Sequence, residues 1–434
     1  MRYLSFCRGE KPFYISILEL DWGDIKMPKV WVEKLLDEPE LYLLRIDDDQ
    51  IKYFEATWDI PEGITYNAYL MKTEGAVVLF DAWKKDYAYQ FLETLSRIVD
   101  PKEITHIIVH HTEPDHSGAL PKVLEANGYN AKIIGTAFAK RLLEAFYGIK
   151  ENVHAVEDGE ELKIGSRTLR FISVPWLHWP DTMITYLVED KVILSCDAGG
   201  GYSIPEAIDD TNEEVVERYL PYVTKYIVTV IGHYHKYIVQ NIEKIKNLGI
   251  VDDVRMILPG HGLIWRKNPQ KIFEYYANVG SGIPKKGKIL VIYDSMYGFV
   301  ERSVRIAIDE LQKLGFEPVV YKFTDKEAPA VSDILGEVPD SEALIIGAST
   351  YEANVHPRIR YTLYELLDKA NYEKPVLILG TFGWAGVAGR EIETLIKRSR
   401  FDHVDTVEVR GRPTDEDEAK IREGIRELVK RLGR

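Results

Sequence analysis

Short apolar runs and amphipathic stretches alternate regularly from Lys288 to the C-terminus, and few folds accommodate such a pattern. The β-prone runs span residues 289–293, 318–323, 343–347, 376–380 and 404–409. Helical periodicity follows the first run as far as Leu314, and it recurs at 360–368, near Ile392 and at 416–432. Strands that alternate with helices form a parallel sheet covered by helices on both faces. The sequence therefore predicts an α/β domain with a doubly wound, five-stranded parallel sheet.

Another domain is predicted before this one, because segment 276–288 is rich in Gly, Pro and Lys and has no apolar period. Upstream, Asp-rich or Pro-Gly turns separate β-prone runs at 41–46, 51–54, 66–71 and 77–80. Helical stretches and apolar runs then alternate up to the boundary, which indicates a mixed α/β layer fold. The predicted division is an N-terminal extension (1–27), a first domain (28–276), a linker (277–287) and a second domain (288–434).

Composition excludes several classes of protein. Acidic side chains number 69 and basic ones 55, which gives a formal net charge of −14 and disfavours binding to nucleic acids. Cys7 and Cys196 form no paired motif, so neither a disulfide framework nor a cysteine-ligated cluster is expected, and the cytoplasm is the expected compartment. No run approaches the roughly 18 apolar residues of a membrane span, so no membrane association is expected.

Potential metal ligands cluster after the apolar run 104–109. The segment His111-Thr-Glu113-Pro-Asp115-His116 places four such side chains within six residues. Three further candidates each lie a few residues beyond an apolar run: His178 after 169–174, Asp197 after 192–194, and His261 after 256–258. If those strands share a sheet and run the same way, their loops meet at one edge, where α/β proteins place their chemistry.

The combined set contains four histidines and three carboxylates. This number suits two metal ions with three terminal ligands each and one bridging carboxylate. Three carboxylates at a buried edge are costly without compensating positive charge, and bound cations are the simplest compensation. The sequence therefore predicts a dinuclear metal site.

The pattern His-x-Glu-x-Asp-His, followed by His, Asp and His, resembles the metallo-β-lactamase-like domain of the flavodiiron proteins. The segments 66–70, 176–183 and 259–265 are also similar to that family. The resemblance implies an αββα sandwich in which one iron is held by His111, Glu113 and His178, the other by Asp115, His116 and His261, with Asp197 as the bridge. Most hydrolases of the superfamily have histidine where this chain has Glu113, and a harder oxygen ligand shifts the preference from zinc towards iron.

One departure follows the bridging aspartate. The family usually has Ala-Phe-Gly there, whereas this chain has Ala198-Gly199-Gly200-Gly201-Tyr202. Loss of the aromatic side chain predicts a wider pocket or a looser loop.

A second site is indicated where the second domain begins. Strand 289–293 leads through Asp294-Ser-Met-Tyr-Gly298 into a helix, and such a loop before a helix N-terminus binds anions. Loops 348–352 and 381–386 follow two other strands at the same edge, and their aromatic side chains are suited to stacking on a flat ring. The chain lacks both the Gly-x-Gly-x-x-Gly dinucleotide fingerprint and the Gly-Lys-Ser/Thr of a P-loop.

These three segments resemble the flavodoxin-like half of the flavodiiron proteins, which implies FMN at the topological switch point. The candidate FMN-binding residues are Ser295, Met296, Tyr297, Gly298, Phe299, Val300, Ser349, Thr350, Tyr351, Thr381, Phe382, Gly383, Trp384, Ala385 and Gly386. The family commonly has Asn or Ser and then Thr after the loop glycine. This chain has Phe299-Val300, so we expect phosphate binding to depend more on backbone amides.

The resemblance implies an oxidoreductase in which FMN passes electrons to a diiron centre that reduces dioxygen to water, nitric oxide to nitrous oxide, or both. It implies no catalytic residues beyond the iron ligands. It also implies a head-to-tail homodimer or a dimer of dimers, and a separate electron donor such as rubredoxin, because the chain carries no Cys-x-x-Cys module. Two alternatives stay open: a zinc-dependent hydrolase with an attached flavodoxin domain, and an electron-carrying module with a redundant metal shell.

Overall fold

The computed structural model describes residues 28–433, so the predicted N-terminal extension lies outside the described residues. The strands are β1 (Lys29–Asp37), β2 (Glu40–Asp48), β3 (Tyr53–Phe54), β4 (Trp58–Asp59), β5 (Ile64–Thr73), β6 (Ala76–Phe80), β7 (His106–Ile108), β8 (Lys132–Gly135), β9 (Val153–Ala155), β10 (Glu161–Ile164), β11 (Arg167–Ser173), β12 (Met183–Leu187), β13 (Val192–Cys196), β14 (Met256–Pro259), β15 (Lys288–Asp294), β16 (Glu317–Phe323), β17 (Ala343–Tyr351), β18 (Asn354–Val355), β19 (Pro375–Phe382) and β20 (Asp402–Arg410). The α-helices are α1 (Ala88–Ser96), α2 (Pro114–Ser117), α3 (Leu120–Asn127), α4 (Ala137–Tyr147), α5 (Glu213–Tyr226), α6 (His235–Asn247), α7 (Gln270–Ser281), α8 (Phe299–Lys313), α9 (Val331–Gly336), α10 (Pro357–Lys369), α11 (Ala388–Ile396) and α12 (Asp415–Arg431).

The first domain contains two large sheets packed face to face. One has seven strands in the order β1-β2-β5-β6-β7-β8-β9, and the other has five in the order β10-β11-β12-β13-β14. An apolar cluster that includes Leu43, Phe80, Phe171 and Leu194 fills the space between them. Because helices cover the outer faces, the neighbouring parallel strands β13 and β14 are buried along their whole length and read as largely apolar runs. This is the predicted αββα sandwich.

The strands that lead to the predicted metal ligands lie in both sheets. β7 belongs to the seven-stranded sheet, whereas β11, β13 and β14 run in one direction in the five-stranded sheet with β12 antiparallel between them. The three strands that precede His178, Asp197 and His261 thus share one sheet and run the same way, as the expected convergence requires, whereas the strand before His111 belongs to the other sheet. The two sheet ends are nevertheless joined, since Met183 N donates to His110 O at 3.0 Å and Asn67 N to Gly260 O at 2.8 Å.

The second domain is a parallel sheet in the order β16-β15-β17-β19-β20. This order confirms the predicted five-stranded doubly wound sheet, and it reverses direction next to β15, where such folds bind ligands. The two-residue strand β18 adds an antiparallel hairpin to β17, which extends β17 to Tyr351. No α-helix among residues 28–433 is long and apolar enough to cross a membrane.

The two domains pack directly against each other. Lys225 of α5 is buried, and its Nζ lies 2.9 Å from Glu62 Oε1 in the first domain and 2.7 Å from Asp333 Oδ1 in the second. The backbones also approach closely, since a Cβ atom on Gly232 would lie 2.3 Å from Lys369 O. Such contacts fix the orientation of one domain relative to the other.

Lys374 provides a test of this interface. Its side chain is only 3 % exposed, and its Nζ donates to Gly282 O at 2.7 Å and Pro339 O at 2.9 Å. Burial lowers the pKa of Lys374 to about 8, from 10.5 for the free side chain. Between those values the unfolded chain binds more protons than the folded chain, so the stability of the native protein rises with pH.

We therefore expect Lys374 to raise the free energy of unfolding of the unmodified protein by about 3 kcal/mol between pH 8 and pH 10.5. The Lys374→Met variant should not show this contribution. Urea unfolding of both proteins across that interval measures the difference. Lys286→Met, which changes an exposed lysine of the linker, is the control and should keep the rise. Equal pH slopes in the unmodified protein and the Lys374→Met variant would contradict the prediction.

Candidate metal centre and flavin site

The structure brings all seven predicted metal ligands together. His111 and Glu113 follow β7, and Pro114 then begins the short helix α2, which presents Asp115 and His116. The other three leave the second sheet: His178 lies between β11 and β12, Asp197 directly follows β13, and His261 follows β14. Every one of the seven side chains is buried or nearly so.

One group of ligands consists of His111, Glu113, His178 and Asp197, whose ligand atoms all lie within 4.8 Å of one another. Glu113 Oε2 is 2.8 Å from His178 Nε2 and 3.3 Å from His111 Nε2. Asp197 Oδ2 is 3.5 Å from His111 Nε2 and 3.7 Å from His178 Nε2. Two nitrogens and two carboxylate oxygens thus converge on one point.

The other group consists of Asp115, His116 and His261. Asp115 Oδ2 is 3.4 Å from His261 Nε2 and 3.5 Å from His116 Nε2. Asp197 reaches this group with its other oxygen, since Oδ1 is 2.9 Å from His116 Nε2 and 3.5 Å from His261 Nε2. Asp197 therefore offers one oxygen to each group, which is the position of a bridging ligand.

The residues fit a pair of cations. Both carboxylate oxygens of Asp115, Oδ2 of Asp197 and Nε2 of His261 are buried without a hydrogen-bond partner among residues 28–433, and leaving such groups unpaired is costly. Cys196 also lies beside His116 and Asp197, but burial raises the pKa of its thiol well above the ordinary value, which disfavours the thiolate. Imidazole and carboxylate donors without sulfur suit non-haem iron.

Neighbouring polar groups orient the ligands. Asp181 Oδ1 accepts from His111 Nδ1 at 3.2 Å, and Thr65 O accepts from His261 Nδ1 at 2.7 Å, which leaves both Nε2 atoms facing the metal position. Tyr226 donates its hydroxyl to Asp197 Oδ1 at 2.8 Å. Asp181, Thr65 and Tyr226 were not among the predicted site residues. The one general signal for such partners is that a metal-bound histidine usually donates its second ring N–H to an oxygen acceptor. This rule does not identify the acceptor in the sequence.

Opposite charges in the cluster shift the pKa values of its members. Burial by itself lowers the pKa of His261, but contacts with the carboxylates of Asp115 and Asp197 outweigh it and raise the value to about 10. Burial favours the neutral form of Glu113, yet hydrogen bonds from His111 and His178 hold its pKa well below the usual range. Metal ions must displace the imidazole protons to bind, so metal affinity is expected to fall as the pH falls.

A second site lies at the C-terminal ends of β15, β17 and β19, where a cavity of about 370 Å³ opens. Twelve of the candidate FMN residues line it; Gly298, Ala385 and Gly386 do not, whereas Glu352 and Gly411 also contribute. Trp384 is 90 % exposed and Tyr297 83 % exposed at its rim. Aromatic side chains held this far from the core are available to stack on a planar ligand.

Hydrogen bonds hold the loops of this cavity in place. Ser295 Oγ accepts from the backbone N–H groups of Gly298 at 3.1 Å and Glu301 at 3.4 Å, which leaves its O–H free to donate. Thr350 Oγ1 accepts from Val387 N and Ala388 N. Gly298, at φ +82°, is the N-cap of α8 and has no side chain to accept from the first turn; Ser295 accepts from Glu301 N, so the N–H groups of Phe299 and Val300 can meet an anion.

An αββα sandwich with a dinuclear histidine–carboxylate pocket, followed by a flavodoxin-like domain, defines a metal-dependent flavoprotein. Comparison with known proteins agrees with this class. Residues 64–262 match the family model described as ODP family beta lactamase, and residues 291–424 match that of flavodoxin. The structure of a flavo-diiron protein from Thermotoga maritima superposes with a TM-score of 0.89 at 58 % identity, covering 94 % of this chain and 99 % of that one.

Two more distant relatives agree. Rubredoxin oxygen:oxidoreductase from Desulfovibrio gigas gives a TM-score of 0.85 at 27 % identity, covering 93 % of this chain and 99 % of that one. A nitric oxide reductase from Moorella thermoacetica is 29 % identical over 83 % of this chain and 89 % of its own length. The chain belongs to the flavodiiron protein family. Membership confirms the predicted cofactors, FMN and two iron ions, and the predicted class of enzyme, an oxidoreductase rather than a hydrolase.

Asp181 provides a test of how the metal ligands are held. Its Oδ2 also accepts from Thr112 N and Oγ1, so an Asn side chain cannot replace both of its oxygen acceptors. We expect Asp181→Asn to lower metal affinity about 10–100-fold, measured as the iron retained by the purified protein against graded chelator. Asp190→Asn is the matched control, because Asp190 pairs with Arg167 at the opposite end of β12 and β13. Equal retention of iron in both variants would contradict the prediction.

Proposed function

We propose that this protein reduces dioxygen to water, nitric oxide to nitrous oxide, or both. Two irons would be held by the two ligand groups: His111, Glu113 and His178 for one, Asp115, His116 and His261 for the other, with Asp197 shared. The observation that carries the proposal is the position of Asp197, which offers one oxygen to each group. When bound there, the two irons and FMN would supply the electrons for reduction of a diatomic molecule.

The residues of the chain control access to this centre. A cavity of about 260 Å³, lined by Phe54, Tyr66 and Lys84 among others, opens onto Glu113 and Asp115. The remaining ligands lie behind it and are almost fully buried, which excludes bulk water from the reacting molecule. The hydroxyl of Tyr226 holds the shared carboxylate of Asp197 in one orientation.

The FMN phosphate would bind at the loop from Ser295 to Gly298 and the N-terminus of α8, with the ring beside Tyr351 and Trp384. Exposed aromatics around the cavity support docking against another protein surface. We propose that this surface meets the metal domain of a second copy, in a head-to-tail homodimer or a dimer of dimers. A rubredoxin-like carrier would supply the electrons, as the name of the Desulfovibrio relative suggests, and the cytoplasm is the proposed compartment.

The decisive experiment is anaerobic reduction of the enzyme followed by addition of dioxygen or nitric oxide. We expect rapid flavin reoxidation with at least one gas, and water or nitrous oxide as the product. His261→Ala should abolish most of this activity because it removes a ligand of one iron, whereas His154→Ala, a change on the surface next to Glu160, should not. Reoxidation no faster than that of free FMN, zinc without iron in the purified protein, or full activity in His261→Ala would contradict the proposal.

Ser295 provides a separate test of the FMN site. Because both backbone donors point at its oxygen, its O–H is left to donate to the phosphate, and hydrogen bonds to charged groups contribute about 1.5–3 kcal/mol. We expect Ser295→Ala to weaken binding of FMN about tenfold or more while leaving binding of riboflavin, which lacks the phosphate, nearly unchanged. Flavin fluorescence quenching on binding to flavin-depleted protein measures both affinities.

The control for this experiment is Ser303→Ala on helix α8, which follows the Ser295 loop. Ser303 is fully buried and its hydroxyl has no hydrogen-bond partner among the described residues, so its loss should leave both affinities unchanged. Equal weakening of FMN and riboflavin in Ser295→Ala would show that the loop collapsed rather than that a phosphate contact was lost.

A further inference from the structure

An apolar cavity lies between the five-stranded sheet and helices α6 and α7. Its volume is about 40 Å³, and its wall is almost wholly apolar. The sheet contributes Ile184, Ile193 and Ile257, and the helices contribute Ile238, Ile245 and Ile272. Neither the seven candidate metal ligands nor the candidate FMN residues line this space.

The few polar side chains in the wall already have partners. Asn241 Nδ2 donates to Tyr237 O at 2.9 Å and Pro175 O at 3.2 Å, and Tyr276 donates its hydroxyl to Gly200 O at 2.7 Å. Ser195 Oγ donates to Ala198 O. A buried water needs about 2–4 hydrogen-bond partners, so this cavity favours an apolar guest over water.

The cavity adjoins the metal centre. Its wall includes Leu177 and Ala198, the residues directly next to the ligands His178 and Asp197 in the chain. Tyr276 of the same wall places its hydroxyl 3.5 Å from the backbone oxygen of Asp197. The segments that carry His178 and Asp197 therefore also form part of the cavity wall.

The glycine run after Asp197 helps to form this space. Gly199 lines the cavity at φ +91°, and a Cβ atom there would lie 3.7 Å from Ile257 Cγ2, which is also part of the wall. A phenylalanine, the residue expected at this position from the family pattern, would add bulk beside the wall. The departure from that pattern thus coincides with the cavity.

We propose that this cavity binds the uncharged diatomic gas that the enzyme reduces and holds it beside the loops of His178 and Asp197. The inference rests on the proposed function. A single water needs roughly 10–15 Å³ of such volume, so the cavity accommodates a diatomic molecule but excludes larger organic substrates. Transfer of a methylene-sized apolar group from water into an apolar site is favoured about fourfold, so the cavity concentrates a poorly soluble gas.

The first experiment uses crystals of the holoenzyme pressurised with xenon, a probe of apolar cavities. We expect a xenon atom among Ile193, Ile245 and Ile257, and its loss in Ile245→Phe and in Ile242→Phe, which fill the cavity from α6. Val239→Phe is the matched control, because Val239 is half-buried on the same helix but does not line the cavity. Each variant is used only after its iron and FMN contents equal those of the unmodified enzyme.

The second experiment measures flavin reoxidation in the same proteins as a function of gas concentration, with dioxygen and nitric oxide in separate arms. In the filled variants we expect KM for the gas to rise about fourfold or more while kcat at saturating gas is unchanged. Absence of xenon from the unmodified protein, or unchanged KM in variants that have lost the xenon site, would overturn the inference and leave the proposed function standing. Failure of the unmodified enzyme to react with either gas would overturn the proposed function, and the inference with it.

Discussion

The shared carboxylate of Asp197 imposes the strongest constraint on this molecule, because it must be buried while facing four imidazoles and two other carboxylates. Charges removed from water in this way are stabilised only by close, well-placed opposite charges. Their placement requires the two sheets to end at the same point. Hydrogen bonds connect strand β5 of one sheet to the segment before His261 in the other. Asn67 Nδ2 donates to Pro259 O at 3.0 Å, and the hydroxyl of Tyr69 donates to the same oxygen at 2.7 Å. The contacts between the two sheets thus fix the relative positions of the candidate metal ligands.

Packing between the domains also fixes the orientation of the flavodoxin-like domain relative to the first domain. The buried Lys225 links Glu62 and Asp333 across the interface, and breaking this link is costly because the ammonium group of Lys225 and the carboxylate of Glu62 are both largely buried. Domain swinging is therefore an unfavourable way to carry electrons from the flavin cavity to the metals. The 90 % exposure of Trp384 at the rim of that cavity fits instead with the proposed contact to a second copy.

Local patterns predicted most of the fold and the seven ligands, whereas contacts between distant segments did not follow from them. The strands of the second domain follow short apolar runs between turn residues, and their alternation with helices predicted a parallel, doubly wound sheet without fixing the strand order. The seven candidate ligands were identified because each comes soon after such a run, and the structure groups them together. Strand β1 was missed because it is largely exposed and pairs only with β2, so its side chains lack a clear alternation. Asp181 and Tyr226 were missed because their roles arise only when separate segments meet.

The glycine run after Asp197 shows how one sequence feature permits two structural outcomes. Loss of the family's aromatic residue predicted either a wider pocket or a looser loop. A Cβ atom on Gly201 would lie 2.8 Å from Val223 Cγ2, and one on Gly200 would lie 3.1 Å from Asp197 O, so these two positions are tightly enclosed. Only Gly199 has ordinary van der Waals distances around it, and it faces the apolar cavity. The substitution therefore creates space beside the ligands while the loop that carries Asp197 stays closely packed, which favours the wider pocket.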